Sequence, residues 1–351
     1  MRRRSCISRP VGLALAGLLV MLIGCDRQER SAATPSAGAD QPSPAAQGGA
    51  GTSVNVTLAA SVFPVADLVG RVAGERCHVV TLLPPGRSPH GYSLRPAEAE
   101  SLVRARMLFA VGHGLDGWAI RAARGVNSRC KVIVLTEALG LEQQVPGHRQ
   151  QETAEPEQNA GHGSAEQSGA GDEGRAEDAH RGMDPHIWLD PVLAGRIAEL
   201  AAGELAREDP DGRDVYQRNL FSLKQQLAGL DEEYRTVLAS CEGRTLVVFH
   251  PGYGYLARRY GLEQLAVAAG DAANPGQVQR IIDTIRGQRI RAVYREPQFD
   301  SKWVDFISRA TGAQVLVLDS QGHAAKEGYD SYFAMMRTNL AALKEGLRCG
   351  S

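Results

Sequence analysis

Short apolar runs alternate with longer amphipathic stretches through two halves of the chain. In the first half, residues 55–61, 79–84, 107–112 and 132–136 read as strands, and in the second, 245–250, 264–268, 292–295 and 315–319. Val132-Ile133-Val134-Leu135 and Val315-Leu316-Val317-Leu318 show no polar alternation. That suits strands covered on both faces, hence parallel sheets in an α/β fold. Helices fit at 65–72, 96–104, 253–260, 275–286, 301–311 and 332–347. Pro96 and Pro275 fall in first helical turns, where the missing N–H has no partner to lose. The expected fold class is α/β, with two lobes, each a mainly parallel sheet flanked by helices.

Three segments depart from this rhythm. Between the halves, Tyr216, Leu220, Leu223, Leu227, Leu230, Tyr234 and Val237 recur at spacings of four and three, one apolar stripe along a helix at 213–239. It reads either as a core helix of one lobe or as a strut lying along both. Residues 144–180 are polar, rich in Gly, Glu and Gln, with scattered His148, His162 and His180, and read as a disordered insertion. At the start, Arg2, Arg3 and Arg4 precede an apolar stretch over 11–23 that ends in Leu22-Ile23-Gly24-Cys25. A basic cluster followed by a short apolar segment is the pattern of a secretory signal, too short for a comfortable membrane span. The cysteine resembles that of a bacterial lipobox, which predicts lipidation of Cys25. Residues 26–53 carry scarcely a large apolar side chain and read as a flexible tether.

The expected organisation is therefore a signal peptide over 1–24, a lipidated Cys25 with tether to 53, a first lobe over 54–208, a helix over 213–240 and a second lobe over 241–351. The product is exported and anchored to a membrane, on the periplasmic face of the inner membrane in a Gram-negative host. A formal net charge of −1 gives no basic face for nucleic acid. Once Cys6 leaves with the signal and Cys25 is lipidated, Cys77, Cys130, Cys241 and Cys349 remain. In an oxidising compartment an even set reads as disulfides, and with no C-x-x-C a zinc ribbon is disfavoured.

Four residues share a topological position. His250 and Asp319 end predicted strands, His90 follows one, and His186 lies where the polar insertion gives way to a helix. The carboxyl edge of a parallel sheet is where open α/β folds bind ligands. Two residues come from each half, so a shared site would lie between the lobes. Three imidazoles and a carboxylate satisfy tetrahedral zinc, although imidazole also suits copper, nickel and iron, and manganese favours more carboxylate. Asp184 and Asp190 flank His186. They read as helix caps or as acceptors for the far nitrogen of an imidazole, a role open to Glu296 as well. His113, His78 and Trp188 read as structural, and His323 as a residue near the cleft mouth. No H-E-x-x-H or nucleophile motif marks an enzyme.

From Val54 onward, outside the polar insertion, the chain resembles the solute-binding lipoproteins of zinc and manganese ABC importers. The resemblance rests on Ser61-Val62-Phe63-Pro64-Val65-Ala66-Asp67-Leu68, Pro89-His90-Gly91-Tyr92-Ser93-Leu94-Arg95-Pro96, Gly114-Leu115-Asp116-Gly117-Trp118, the stretch 184–191, the stretch 249–262, Glu296-Pro297-Gln298-Phe299 and Leu318-Asp319-Ser320 with 332–340. It implies two lobes joined by a long rigid helix, and a metal held by His90, His186, His250 and Asp319. It further implies a membrane permease as partner, with the chain a monomer. Zinc-binding members tend to carry His where manganese-binding ones carry Glu, so His250 favours Zn2+, with Mn2+ the alternative. A histidine-rich insertion is common in the zinc binders and is diluted here. Topology then pairs the cysteines. Cys77 and Cys130 both precede strands of the first sheet, and Cys241 and Cys349 share the corresponding face of the second lobe. The expected bridges are Cys77–Cys130 and Cys241–Cys349.

Overall fold

The computed structural model describes residues 56–141, 183–241, 243–268, 275–299 and 302–348. The signal segment, Cys25, the tether, the 144–180 insertion and Cys349 lie outside the described residues. The first lobe carries strands β1 (Val56–Ala60), β2 (Cys77–Thr81), β3 (Ala105–Ala110) and β4 (Lys131–Val134), and the second β5 (Thr245–Val248), β6 (Glu263–Ala266), β7 (Ala292–Arg295) and β8 (Gln314–Val317). Their orders are β2-β1-β3-β4 and β6-β5-β7-β8, all pairs parallel. Each lobe thus repeats one winding, with the order reversing between its first and third strands. Such a reversal opens a crevice at the carboxyl edge of the sheet.

Helices α1 (Phe63–Ala73), α2 (Pro96–Arg104), α3 (Gly117–Val126) and α4 (Leu135–Ala138) belong to the first lobe, and α5 (Pro191–Glu208) closes it. The apolar stripe becomes α6 (Arg213–Leu238), which buries Tyr216, Leu223, Leu227, Leu230 and Tyr234. It packs on α1 and α5 of the first lobe and on α10 (Tyr332–Leu347) of the second, so it lies along both lobes, as the strut reading expects, and not within one. Polar ties run to each side: Asn219 Nδ2 donates to the Val72 carbonyl at 3.0 Å, and the Tyr234 hydroxyl to the Met336 carbonyl at 2.6 Å. The second lobe adds α7 (Gly254–Arg259), α8 (Pro275–Gln288) and α9 (Lys302–Thr311). Among the described residues no helix is long and apolar enough to cross a membrane.

The lobes are stitched through Trp188, which is fully buried. Its indole N–H donates to the Ser320 carbonyl at 2.7 Å, and its own carbonyl accepts the Tyr332 hydroxyl at 2.8 Å. Beside it, Asp67 of α1 accepts the Tyr332 amide at 3.0 Å. Arg259 of α7 adds a second pin. It grips Asp231 of α6 with two hydrogen bonds, at 2.7 and 2.6 Å, and lies 3.3 Å from Asp190 at the start of α5.

One expected disulfide is corrected. Cys77 and Cys130 are free, half-buried thiols. They share the expected face of the first sheet, but Cys77 starts β2 and Cys130 precedes β4, the two outer strands. Three strand spacings separate them by about 14 Å, roughly twice the widest Cα separation a disulfide spans. The Cys77 sulfur lies 3.8 Å from the Tyr216 hydroxyl instead. Cys241 is fully buried and is not a free thiol.

Candidate metal centre

The chain brings three imidazoles together where the lobes meet. His250 lies two residues past β5, just beyond the switch point of the second sheet. His186 opens the 3-10 turn Ile187–Leu189 that leads into α5. His90 sits on the loop between β2 and α2, where Trp118 Nε1 donates to the Pro89 carbonyl at 3.0 Å. His186 and His250 are buried and His90 is half-buried. Their ring centroids are 4.8 to 5.6 Å apart. One ring nitrogen from each lies within 4.8 Å of the others.

The far nitrogens of His186 and His250 are held. His186 Nδ1 is 2.8 Å from Asp184 Oδ1, which also accepts the His186 amide at 2.9 Å. His250 Nδ1 is 3.3 Å from Glu296 Oε1. Glu296 in turn accepts from Ser320 Oγ at 2.7 Å and from Gln298 Nε2 at 2.9 Å. A carboxylate on Nδ1 keeps the proton there and leaves the Nε2 lone pair for a cation. His186 Nε2 is buried with no hydrogen-bond partner, an orphan aimed at the shared centre. His90 Nε2 and His250 Nε2 face each other at 3.1 Å. Tetrahedral zinc, with Zn–N of about 2.0–2.1 Å, places its nitrogens about 3.3 Å apart, so this edge already has coordination length. Gly252 makes the approach possible, because a Cβ there would lie 2.8 Å from two atoms of the His250 ring and 3.2 Å from His186.

Electrostatics favour the neutral form of His90 and the charged form of Asp184. Burial, then the His186 and His250 rings, push the His90 imidazole down to about 2, with Asp184 opposing. Burial lifts the Asp184 carboxyl, but the hydrogen bond and charge of His186 outweigh it and hold it below its usual range.

Asp319 takes a different position from the three histidines. Its Oδ1 accepts the amides of Gln321 and Gly322, each at 2.9 Å, and its Oδ2 lies 3.4 Å from Lys326 Nζ. Asp190 caps α5, accepting the Val192 amide at 2.8 Å. His113 is buried with φ 51° and its Nδ1 3.3 Å from the Asp184 carbonyl, while His78 is exposed on β2. His323 accepts the Ala325 amide at 3.2 Å and lines a cavity of about 90 Å³ with Asp319 and Lys326. Sequence reasoning does not single out Lys326, Asn339 or Gly252; only Gly252, in Pro251-Gly252-Tyr253-Gly254 right after His250, carries a local signal.

Two α/β lobes converging on three clustered imidazoles, two of them backed by carboxylates, define a two-lobed metal-chelating binding protein. The chain belongs to the ZnuA family, zinc-uptake complex component A, periplasmic, whose model matches residues 58–346. This is a family of solute-binding transport proteins rather than enzymes. The high-affinity zinc uptake system protein ZnuA of Paracoccus denitrificans is 34% identical over 297 residues, covering 81% of this chain and 89% of the relative. The protein of the same name from Brucella abortus is 27% identical over 301 residues, covering 82% and 90%. A crystal structure of a ZnuA deletion mutant with zinc bound aligns with a TM-score of 0.65 at 26% identity, covering 85% of this chain and 98% of that one.

Proposed function

We propose that this protein captures a transition-metal ion, Zn2+, outside the cytoplasm and delivers it to the membrane permease of an ABC-type importer. The observation that carries this is the three-imidazole cluster with its orphaned His186 Nε2 and carboxylate-held far nitrogens. His90, His186 and His250 supply nitrogen, and Asp319 supplies the fourth ligand when its carboxylate turns toward them. Four protein ligands leave no open position for a reacting water, so the ion is bound and not used for catalysis. A nitrogen-rich set suits zinc better than manganese, and the zinc-bound relative supports that choice. Mn2+ is the alternative occupant and would leave the architecture unchanged.

The remaining parts of the reading concern placement. A signal over 1–24, lipidation at Cys25 and a tether to residue 53 would keep a monomer near its permease, supported by the n-region, apolar segment and Cys25 pattern. A Cys241–Cys349 bridge would staple the end of α10 to the foot of β5. The core proposal is tested by offering zinc and manganese together to the purified protein beside a His250→Ala variant. One tightly held zinc per chain, weakened in the variant, is expected. Retention of manganese in preference to zinc, or equal zinc affinity in both proteins, contradicts it.

A further inference from the structure

Asp319 is prepared to meet an ion except at one atom. Its backbone is pinned by a reciprocal pair with the buried Asn339: the Asp319 amide donates to Asn339 Oδ1 at 2.9 Å, and Asn339 Nδ2 donates to the Asp319 carbonyl at 2.8 Å. Two backbone amides occupy Oδ1. Oδ2 is the oxygen left for a cation, and the Lys326 ammonium lies against it at 3.4 Å.

The loop that carries the lysine is built to hold it there. The His323 amide donates to the Tyr329 carbonyl at 3.0 Å, Lys326 N–H to the His323 carbonyl at 3.1 Å, and Tyr329 N–H to the Lys326 carbonyl at 2.9 Å. The Tyr329 ring lies under the ammonium, 3.8 Å from its centroid. Gly322 and Gly328, with φ of 58° and 77°, turn the chain back on itself. The Asp319 side chain is 6% exposed and that of Lys326 36%, so the ammonium has a route to water while the carboxylate does not. An ammonium and a divalent ion cannot share one buried carboxylate oxygen, because their repulsion grows as water is excluded.

We propose that Lys326 is an internal counter-ion that neutralises Asp319 in the metal-free protein and competes with the metal for Oδ2. It is a positioning residue, and the inference rests on Asp319 being the fourth ligand of the proposed zinc site. Capture then requires the ammonium to leave, and its return loosens the ion toward three ligands, which sets both affinity and release rate.

The test compares full chains of wild type, Lys326→Met, Lys326→Arg, Asp319→Asn and the Asp319→Asn/Lys326→Met double variant. Zinc affinity is read by chelator competition, release by stopped flow into excess chelator, and folding by thermal melts. Losing one charge-assisted competitor should raise the affinity of Lys326→Met about tenfold and slow its release. Lys326→Arg should stay near wild type, and Lys326→Met should change nothing once the carboxylate is gone. Unchanged or weaker binding by a folded Lys326→Met, or an equal gain in the Asp319→Asn background, overturns the proposal. Failure of the zinc reading itself shows separately, as wild type and His250→Ala alike holding no zinc.

Discussion

His186 and His250 each keep a carboxylate on the ring nitrogen turned away from the shared centre, whereas the His90 pKa is held down by burial and by the two neighbouring rings. Asp184→Asn should therefore lower zinc affinity about ten- to a hundredfold, read by chelator competition; an unchanged affinity would mean that Asp184 serves only to shape the turn. His90 links the site to stability. Its folded pKa of about 2 lies below the unfolded value near 6.5, so below about pH 6.5 the unfolded chain takes a proton that the fold excludes. The metal-free protein should lose stability as pH falls from there, by up to about 1.4 kcal/mol per pH unit from this group. Denaturant titrations at pH 7 and pH 5 should show a smaller loss in His90→Gln than in wild type, and equal losses would contradict this linkage. The histidines stand out in the sequence because each follows a strand or opens a helix. Lys326 does not, because no local pattern states which side chain a surface loop folds back over a carboxylate.

The strands and most helices are readable from apolar runs, though several strands end earlier than those runs do. Val248 ends β5, and Phe249-His250 continue its apolar character into the site loop. Helix α3 escapes the pattern because it starts on Gly117 and its buried face is Trp118, Ala119 and Ala123, two of the three being small alanines. Sheet order is the larger gap. Strand positions place Cys77 and Cys130 on one face but do not reveal that β1 and β3 lie between them. Peptide mapping without reduction should recover both as thiols, and a Cys77–Cys130 cross-linked peptide would contradict the topology. Arg259 shows the same limit, since its partners sit on α6 and before α5. Arg259→Ala should cost about 1–3 kcal/mol in denaturant unfolding, the pair being partly solvated; no loss would mean that the pin carries no load between lobe and strut.

Over the whole molecule, the division into two lobes is visible in the sequence because each half repeats the same strand–helix rhythm, and both fold to one strand order. The ties between lobes are not. Trp188, Ser320, Tyr332 and Asp67 are distant in sequence and meet only once α6 has set the lobes side by side. Because those ties are buried and hydrogen-bonded, the cleft should admit an ion through small shifts of the His90 and Asp319 loops instead of a wide hinge. Whether three imidazoles at this junction hold zinc is measured most directly by X-ray absorption at the zinc edge on the loaded protein. One zinc with three nitrogen neighbours at about 2.0–2.1 Å and an oxygen at about 2.0–2.2 Å is expected, with the nitrogen shell reduced in His250→Ala. A sulfur shell, or a spectrum unchanged by His250→Ala, would contradict it.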